Sequence, residues 1–365
     1  SYEYPMQQGG GSDGRPYSFG RPSSGGSKAA YPCKSYGQGR INPAYFYGVF
    51  DPNDMRRDVS ITMTGSNGKG VEKLIPFVPN SKAEGGGLTL NKWDENRQAN
   101  PWVAAQRKSG INGPYMRMSE VYLGYAEVCA ALGDVVTGKQ YLKTVRERSF
   151  PQGLANTDAF IASFGNDLVR AIIEERGFEY AGEGDRRWTL IRSGYLPEDI
   201  KRIKDMTKAM MDGLATKGYY EFENGNIISA YIWTKLVDAK TIYGHRLTAQ
   251  CPTDKVNDPV LYPGWRGQKD NWEEMGLNYG SSTPATNLAI KGLFEIVSEE
   301  EAASLESQGY TKVNWGIDLV DNRDEYDKYL FWDYDYVSAP IYLWPFTPNV
   351  MAAGGFTNGY GFKQE

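Results

Sequence analysis

Residues 114–148 constrain this chain more than any other stretch. From Pro114 onward, Met118, Tyr122, Tyr125, Cys129 and Leu132 recur at spacings of four, three, four and three. Such spacing puts them on one stripe of a 3.6-residue helix. Pro114 suits the helix start, because its missing N–H would have had no partner there. Gly133-Asp134 supplies a stop and a turn. Small residues at Gly124, Ala126, Ala130 and Ala131 let a neighbouring helix come close. A second arm then turns Val135, Leu142 and Val145 inward and ends in Arg146-Glu147-Arg148. The spacing predicts a helical hairpin.

A hairpin of this kind follows the logic of a tetratricopeptide unit, which cannot bury its apolar face alone and must stack on other helices. A second segment, residues 166–194, makes the reading more specific. It predicts a helix carrying Glu174-Glu175-Arg176, a glycine break from Gly182 to Gly184, and a short amphipathic helix with Trp188, Leu190 and Ile191. The charges around Arg176, Glu179, Glu183 and Arg186 read as an internal ionic network fixing the helix break.

Together these segments resemble the SusD/RagB family of Bacteroidota outer-membrane nutrient-binding lipoproteins. Arg117, Glu120, Val121, Leu123, Tyr125, Ala126 and Glu127 match that family's "R-x-x-E-V-x-L-x-Y-A-E-A" helix. Glu175, Arg176, Glu179, Glu183, Gly184, Arg186, Leu190 and Arg192 match its "E-R-R-x-E-L-x-F-E-G-H-R-W-x-D-L-x-R" pattern. Tyr342-Leu343-Trp344-Pro345 with Asn358-Gly359-Tyr360 resembles the closing motif, and the passage from Asp51-Pro52 resembles the family's "D-P-R-x-x-x-T". Three departures stand out: Asp185 replaces a His or Arg, Thr189 replaces an Asp, and Gly177 replaces the second Arg.

The resemblance implies a mainly α fold, with tetratricopeptide-like helical repeats and long irregular aromatic-rich loops. It also implies that the 365 residues are the carboxyl-terminal part of one SusD/RagB-like domain, with the amino-terminal half and the lipid anchor absent from this chain. On this reading residues 1–113 are loops and short strands, 114–217 the helical core, 218–330 a loop-rich elaboration and 331–365 a closing segment. A further amphipathic helix is expected near Glu198–Leu214. A hairpin is expected where 59–64 and 71–78 flank Gly65-Ser66-Asn67-Gly68.

The function implied is non-catalytic: capture of oligo- or polysaccharide at the cell surface for a SusC-like TonB-dependent outer-membrane transporter. Peptide capture, as in the RagB branch, is the runner-up. A glycoside hydrolase and a plain helical-repeat adaptor are the readings from other classes. A net charge of −5 gives no electrostatic case for nucleic acid or an anionic membrane. No run approaches the roughly 18 apolar residues of a membrane helix.

Sugars are held by flat aromatic faces flanked by hydroxyl-binding polar groups. The chain has 42 glycines, 26 tyrosines and 9 tryptophans, so its loops are rich in rings. Four clusters qualify as glycan platforms. Trp93 has Asn96 and Arg97 beside it, and Trp102 follows Asn100-Pro101. Tyr45 and Tyr47 occupy alternate positions of a piece read as extended, and Tyr262, Trp265 and Trp272 lie in the elaboration. For any one of them, pinning a loop to the core is the competing role.

Enzyme readings have less to stand on. His245 is the only histidine, which argues against multi-histidine metal sites and His-dependent triads. Gly85-Gly86-Gly87 lacks the lysine of a phosphate loop. The aspartates from Asp318 to Asp335 raise the two-carboxylate question of a glycosidase, but read as a solvated acidic face. No cofactor is expected, and although the aspartates leave room for a structural calcium ion, the EF-hand spacing is missing. Cys129 reads as a small buried hydrophobe, while Cys33 and Cys251 could pair in an oxidising compartment.

Overall fold

The computed structural model describes residues 2–5, 39–66, 72–75, 77, 87–92, 112–238, 286–324, 346–355 and 357. Its helices begin with α1 (Pro43–Gly48) and α2 (Arg56–Ser60). The helical core follows as α3 (Met118–Ala131), α4 (Val135–Arg146), α5 (Thr157–Ala162), α6 (Leu168–Glu179), α7 (Asp185–Ser193) and α8 (Leu196–Lys217). Three more, α9 (Glu299–Ser307), α10 (Gly316–Asp321) and α11 (Pro348–Gly354), come later. The fold is mainly α. Among the described residues no helix is long and apolar enough to cross a membrane.

Short antiparallel pairs brace the helices. Tyr2–Pro5 pairs with Asn112–Met116, so Pro114 lies in a strand and the helix starts four residues later than its proline suggested. The hairpin is present as Thr64–Ser66 against Glu72–Leu74, with Thr64 opposite Leu74. Its first arm is shorter than read, because Val59 and Ser60 belong to α2 and Ile61-Thr62 pairs instead with Thr89-Leu90. Between 218 and 330, Tyr231–Asp238 lies between Thr286–Lys291 and Thr311–Asn314 in a three-stranded antiparallel sheet. Helix α9 in that region was not expected. Ser298 caps its first turn by accepting from Glu301 N at 3.2 Å, and Glu299, Glu300 and Glu301 complement the N-terminal dipole.

The hairpin of α3 and α4 forms as read, but its packing differs. Gly133 adopts φ +88°, and the Asp134 carboxylate accepts from Thr137 N at 3.1 Å to open α4. Leu142 and Val145 are enclosed as expected, whereas Val135 is exposed. On α3 the buried stripe is Ser119, Leu123, Ala126 and Cys129. The expected stripe shares Cys129 with it, but Met118, Tyr122 and Tyr125 sit one residue before Ser119, Leu123 and Ala126, a rotation of about 100°. Met118, Tyr125 and Leu132 face outward, together with Val121 and Val128, and Leu132 is 82% exposed. Gly124 meets nothing within 4 Å, so no neighbour uses the approach it allows.

The phase is set by α6, which is buried along almost its whole length. Leu123, Ala126, Leu142, Val145, Leu168 and Ile172 make one apolar cluster between the hairpin and α6. Ser119 faces inward because its hydroxyl has partners there: Tyr180 Oη and Arg117 Nη1, each at 3.1 Å. A second, larger cluster joins α1, the end of α6, α8 and the sheet through residues such as Phe46, Phe178, Met210, Leu214, Ile232 and Trp315.

Candidate functional site

Helix α6 carries Arg170, Glu174, Glu175, Arg176 and Glu179 into the interior. A buried charge is tolerated only when it is paired and hydrogen-bonded, and here the pairs form a lattice of separate clusters. Glu175 is fully enclosed and accepts from Arg56 Nη1 at 2.6 Å and Arg146 Nη1 at 2.9 Å. Arg56 also reaches Asp54, at 2.7 Å. Glu179 accepts from Arg117 Nη1 at 2.6 Å and from Arg148. Glu183 takes Arg117 Nη2 at 2.8 Å and Lys92 Nζ at 2.6 Å. Burial pulls Lys92 below the usual ammonium value even though Glu183 faces it.

The helix break follows from the glycines. Gly182 and Gly184 both adopt positive φ, +80° and +89°, so the chain reverses out of α6 and α7 starts directly after Gly184. Across the break, Arg176 Nη2 donates to Asp185 at 2.6 Å and Arg176 Nε to Thr189 Oγ1 at 3.2 Å. Thr189 in turn donates to Asp185 Oδ2 at 2.8 Å. These are two of the departures noted above. A carboxylate expected at 189 stands one helical turn earlier, at Asp185, and still reaches Arg176. Further along α7, Arg192 grips Glu127 of α3 at 2.5 and 2.8 Å. Arg186 folds back to Glu174 at 2.9 Å and Asp199 at 3.1 Å.

The third departure has an equally direct reason. A Cβ at position 177 would lie 2.9 Å from Arg186 Nη1. Glycine there lets the Arg186 guanidinium lie against α6. Tyr45 Oη also donates to the Gly177 carbonyl, at 3.1 Å.

Burial alone would raise the Glu179 carboxyl, but Arg56, Arg148 and Arg117 overcome it and hold the group at about 2. Its ordinary value is 4.5, so the charged form belongs to the folded state. The stabilisation is complete above pH ~4.5 and is lost as the pH falls toward the folded value, amounting to about 3 kcal/mol. Urea unfolding of wild type and Glu179→Gln between pH 7 and 3 should show the gap between them narrowing below pH ~4.5. A gap that stays constant down to pH 3 would mean Glu179 does not carry this dependence.

The sequence read part of this lattice correctly: Arg176, Glu179, Glu183 and Arg186 are its members. It missed Arg56, Lys92, Arg146 and Arg148, whose partners lie tens of residues away. No local spacing signals such pairings.

A family model described as the SusD family matches residues 2–345. The chain belongs to the SusD family. It is similar to a SusD-like protein of Formosa agariphila, at 28% identity over 160 residues, covering 44% of this chain and 26% of that protein. Among solved structures it is similar to a SusD homolog from Bacteroides thetaiotaomicron, with TM-score 0.31 and 23% identity over 44% of this chain and 33% of that one. A SusD superfamily protein from Bacteroides vulgatus gives TM-score 0.30 and 19% identity over 46% and 36%. The chain thus spans about a quarter to a third of the length of these SusD relatives.

Two of the aromatic candidates are placed by the structure, and both serve packing. Tyr45 and Tyr47 lie on α1, a helix and not an extended piece. Asn42 caps it by accepting from Ala44 N at 2.8 Å, with Pro43 in the first turn. Tyr47 has no exposure. Its ring stacks on Phe222 and its hydroxyl accepts from Trp315 Nε1 at 2.8 Å. Tyr45 is half-buried, edge-on to Phe50, and burial pushes its phenol up to about 12. The Tyr47 ring is closed to a ligand and the Tyr45 hydroxyl is already committed. Alternation in the sequence had suggested a strand, but a capped proline turn and two core rings make a helix.

Trp93, Asn96, Arg97, Trp102, Tyr262, Trp265 and Trp272 lie outside the described residues, as do His245, Cys33 and Cys251. Cys129 is a free, buried thiol. On α7, Leu190 is buried but Trp188 is 54% exposed.

Proposed function

We propose that this chain is part of a non-catalytic cell-surface protein of the outer membrane, which captures oligo- or polysaccharide for a SusC-like TonB-dependent transporter. One observation carries the reading. The signature carboxylates Glu175, Glu179 and Glu183 are all consumed in ion pairs that hold the helices together. A glycosidase needs two carboxyl groups facing a substrate across a gap, and groups held by two or three basic side chains serve instead as the frame of a binding scaffold.

The outward apolar stripe of α3, from Val121 through Tyr125 and Val128 to Leu132, supports a protein-contact role for the hairpin. On this reading the transporter is the partner that meets it. The glycan is met elsewhere, by aromatic loops, with Trp93 and Trp102 as the first candidates.

Calorimetric titration of the intact protein with a panel of polysaccharides and a peptide digest tests the reading, with reducing-end release assayed in the same samples. Sugar binding without cleavage is expected. Trp93→Ala or Trp102→Ala should then weaken binding up to about tenfold while the melting temperature holds, in line with the ~0.5–1.5 kcal/mol of a stacked ring. Peptide binding alone would move the protein to the RagB-like branch. Release of reducing ends would overturn the non-catalytic assignment.

A further inference from the structure

Beside the lattice lies a cavity of about 780 Å³, opening between α5, α6 and the start of α8. That volume is in the range of roughly 300–1,000 Å³ found for small-ligand sites. Its floor is buried and charged, formed by Arg146, Arg170 and Glu174. Phe160, Phe164 and Tyr195 line its sides, and the exposed residues Ala159 and Ser163 border it on α5.

Carboxylates outnumber guanidiniums in the lining, four to three. Arg146, Arg170 and Arg202 line the cavity with Asp51, Asp167, Glu174 and Glu198. Each guanidinium also has its own carboxylate: Arg146 with Glu175 at 2.9 Å, Arg170 with Glu174 at 3.0 Å, and Arg202 with Asp199 at 2.6 Å. An entering anion would gain no net attraction from such a lining. A neutral ligand bearing both donors and acceptors would find complements to each, beside apolar ring surface.

The rings are not equivalent. Arg146 lies 3.8 Å from the centroid of Phe160, and Arg170 lies 4.0 Å from that of Tyr195. Phe164 stands edge-on to Phe160, with centroids 5.2 Å apart, and no guanidinium is stacked on it among the described residues. An extended peptide would use a free strand edge for its backbone, and the surround here is mostly helix.

We propose that this cavity is a subsite for a neutral saccharide unit, with Phe164 as its apolar wall and the paired charges as hydroxyl partners. The inference rests on the capture reading and adds to it the neutrality of the sugar and a place in the helical core.

Ala159→Trp tests it, since an exposed small residue on the border of the cavity can be enlarged without entering a packed cluster. The intact protein is titrated with neutral gluco-, xylo- and manno-oligosaccharides of two to four units, and with an oligogalacturonate of the same length. A neutral oligosaccharide should bind, Ala159→Trp should weaken it at least tenfold, and Phe164→Ala should weaken it several-fold, with melting temperatures within a few degrees of wild type. Preference for the uronate, lost in Ala159→Trp, would overturn the neutral assignment. Unchanged affinity in both variants of a protein that does bind sugar would overturn the subsite and leave the capture reading standing. Wild type that binds no saccharide at all would overturn both. Should Phe164→Ala fail to fold, Ala159→Trp alone decides.

Discussion

Leu123→Asp is expected to unfold the α3–α4 hairpin, while Leu132→Asp on the same helix should leave stability within about 0.5 kcal/mol of wild type. The two leucines look alike in the sequence. Leu123 has no exposure and packs among Ala126, Leu142, Ile172 and their neighbours; Leu132 is 82% exposed. Deleting a buried leucine costs about 2–5 kcal/mol, and an unpaired buried carboxylate adds several more. The sum approaches the whole stability of a typical domain, about 5–15 kcal/mol. Circular dichroism and thermal melts of the two variants decide the matter. A larger loss in Leu132→Asp than in Leu123→Asp would mean that the hairpin packs in the phase read from its apolar spacing, and not in the one observed.

Glu175→Ala should cost about 3–5 kcal/mol, the usual penalty for removing one partner of a buried ion pair. The carboxylate itself is fully enclosed, and its loss strips Arg146 of its 2.9 Å partner and Arg56 of its 2.6 Å partner. Arg56 keeps Asp54 at 2.7 Å, so Arg146 is left the worse placed, with its guanidinium 3.8 Å from the Phe160 centroid and little else to meet. The double variant Glu175→Ala, Arg146→Leu should therefore recover part of the loss, since it removes the stranded charge along with its partner. Chemical denaturation of the single and double variants gives the coupling directly. Strict additivity would assign Glu175 a role other than holding Arg146.

The charge signatures link these predictions to the fold. Arg117 just before α3 and Glu127 on it, with Glu179, Glu183 and Arg192 around the glycine break, fasten the hairpin to α6 and α7. The sequence carried these residues as motifs and marked the reversal with glycines, but not their pairing, which spans more than sixty positions. It carried the helical core, read as 114–217, through apolar spacing and glycine stops. Long amphipathic segments with caps and glycine stops are decided mostly by local physics.

Other features had no local signal. The buried face of α3 could not be read from apolar spacing, since the inward position 119 holds a serine satisfied by Tyr180 and Arg117, and the outward positions hold Val121, Tyr125, Val128 and Leu132. Which face of a helix is buried depends on what packs against it, and α6 arrives from some fifty residues away. Tyr45 and Tyr47 looked like ligand platforms because rings near polar residues suggest binding; the tertiary fold spends them on the core, where Trp315, 268 positions along the chain, donates to the Tyr47 hydroxyl. The cavity beside Phe164 is likewise a product of assembly, with walls from helices and loops between residues 48 and 224. Sequence alone determined the helical hairpin, the glycine break after it and the family, because those depend on neighbours along the chain. The tertiary structure decided which faces are buried, how the charges pair and where a ligand can enter, because those depend on neighbours in space.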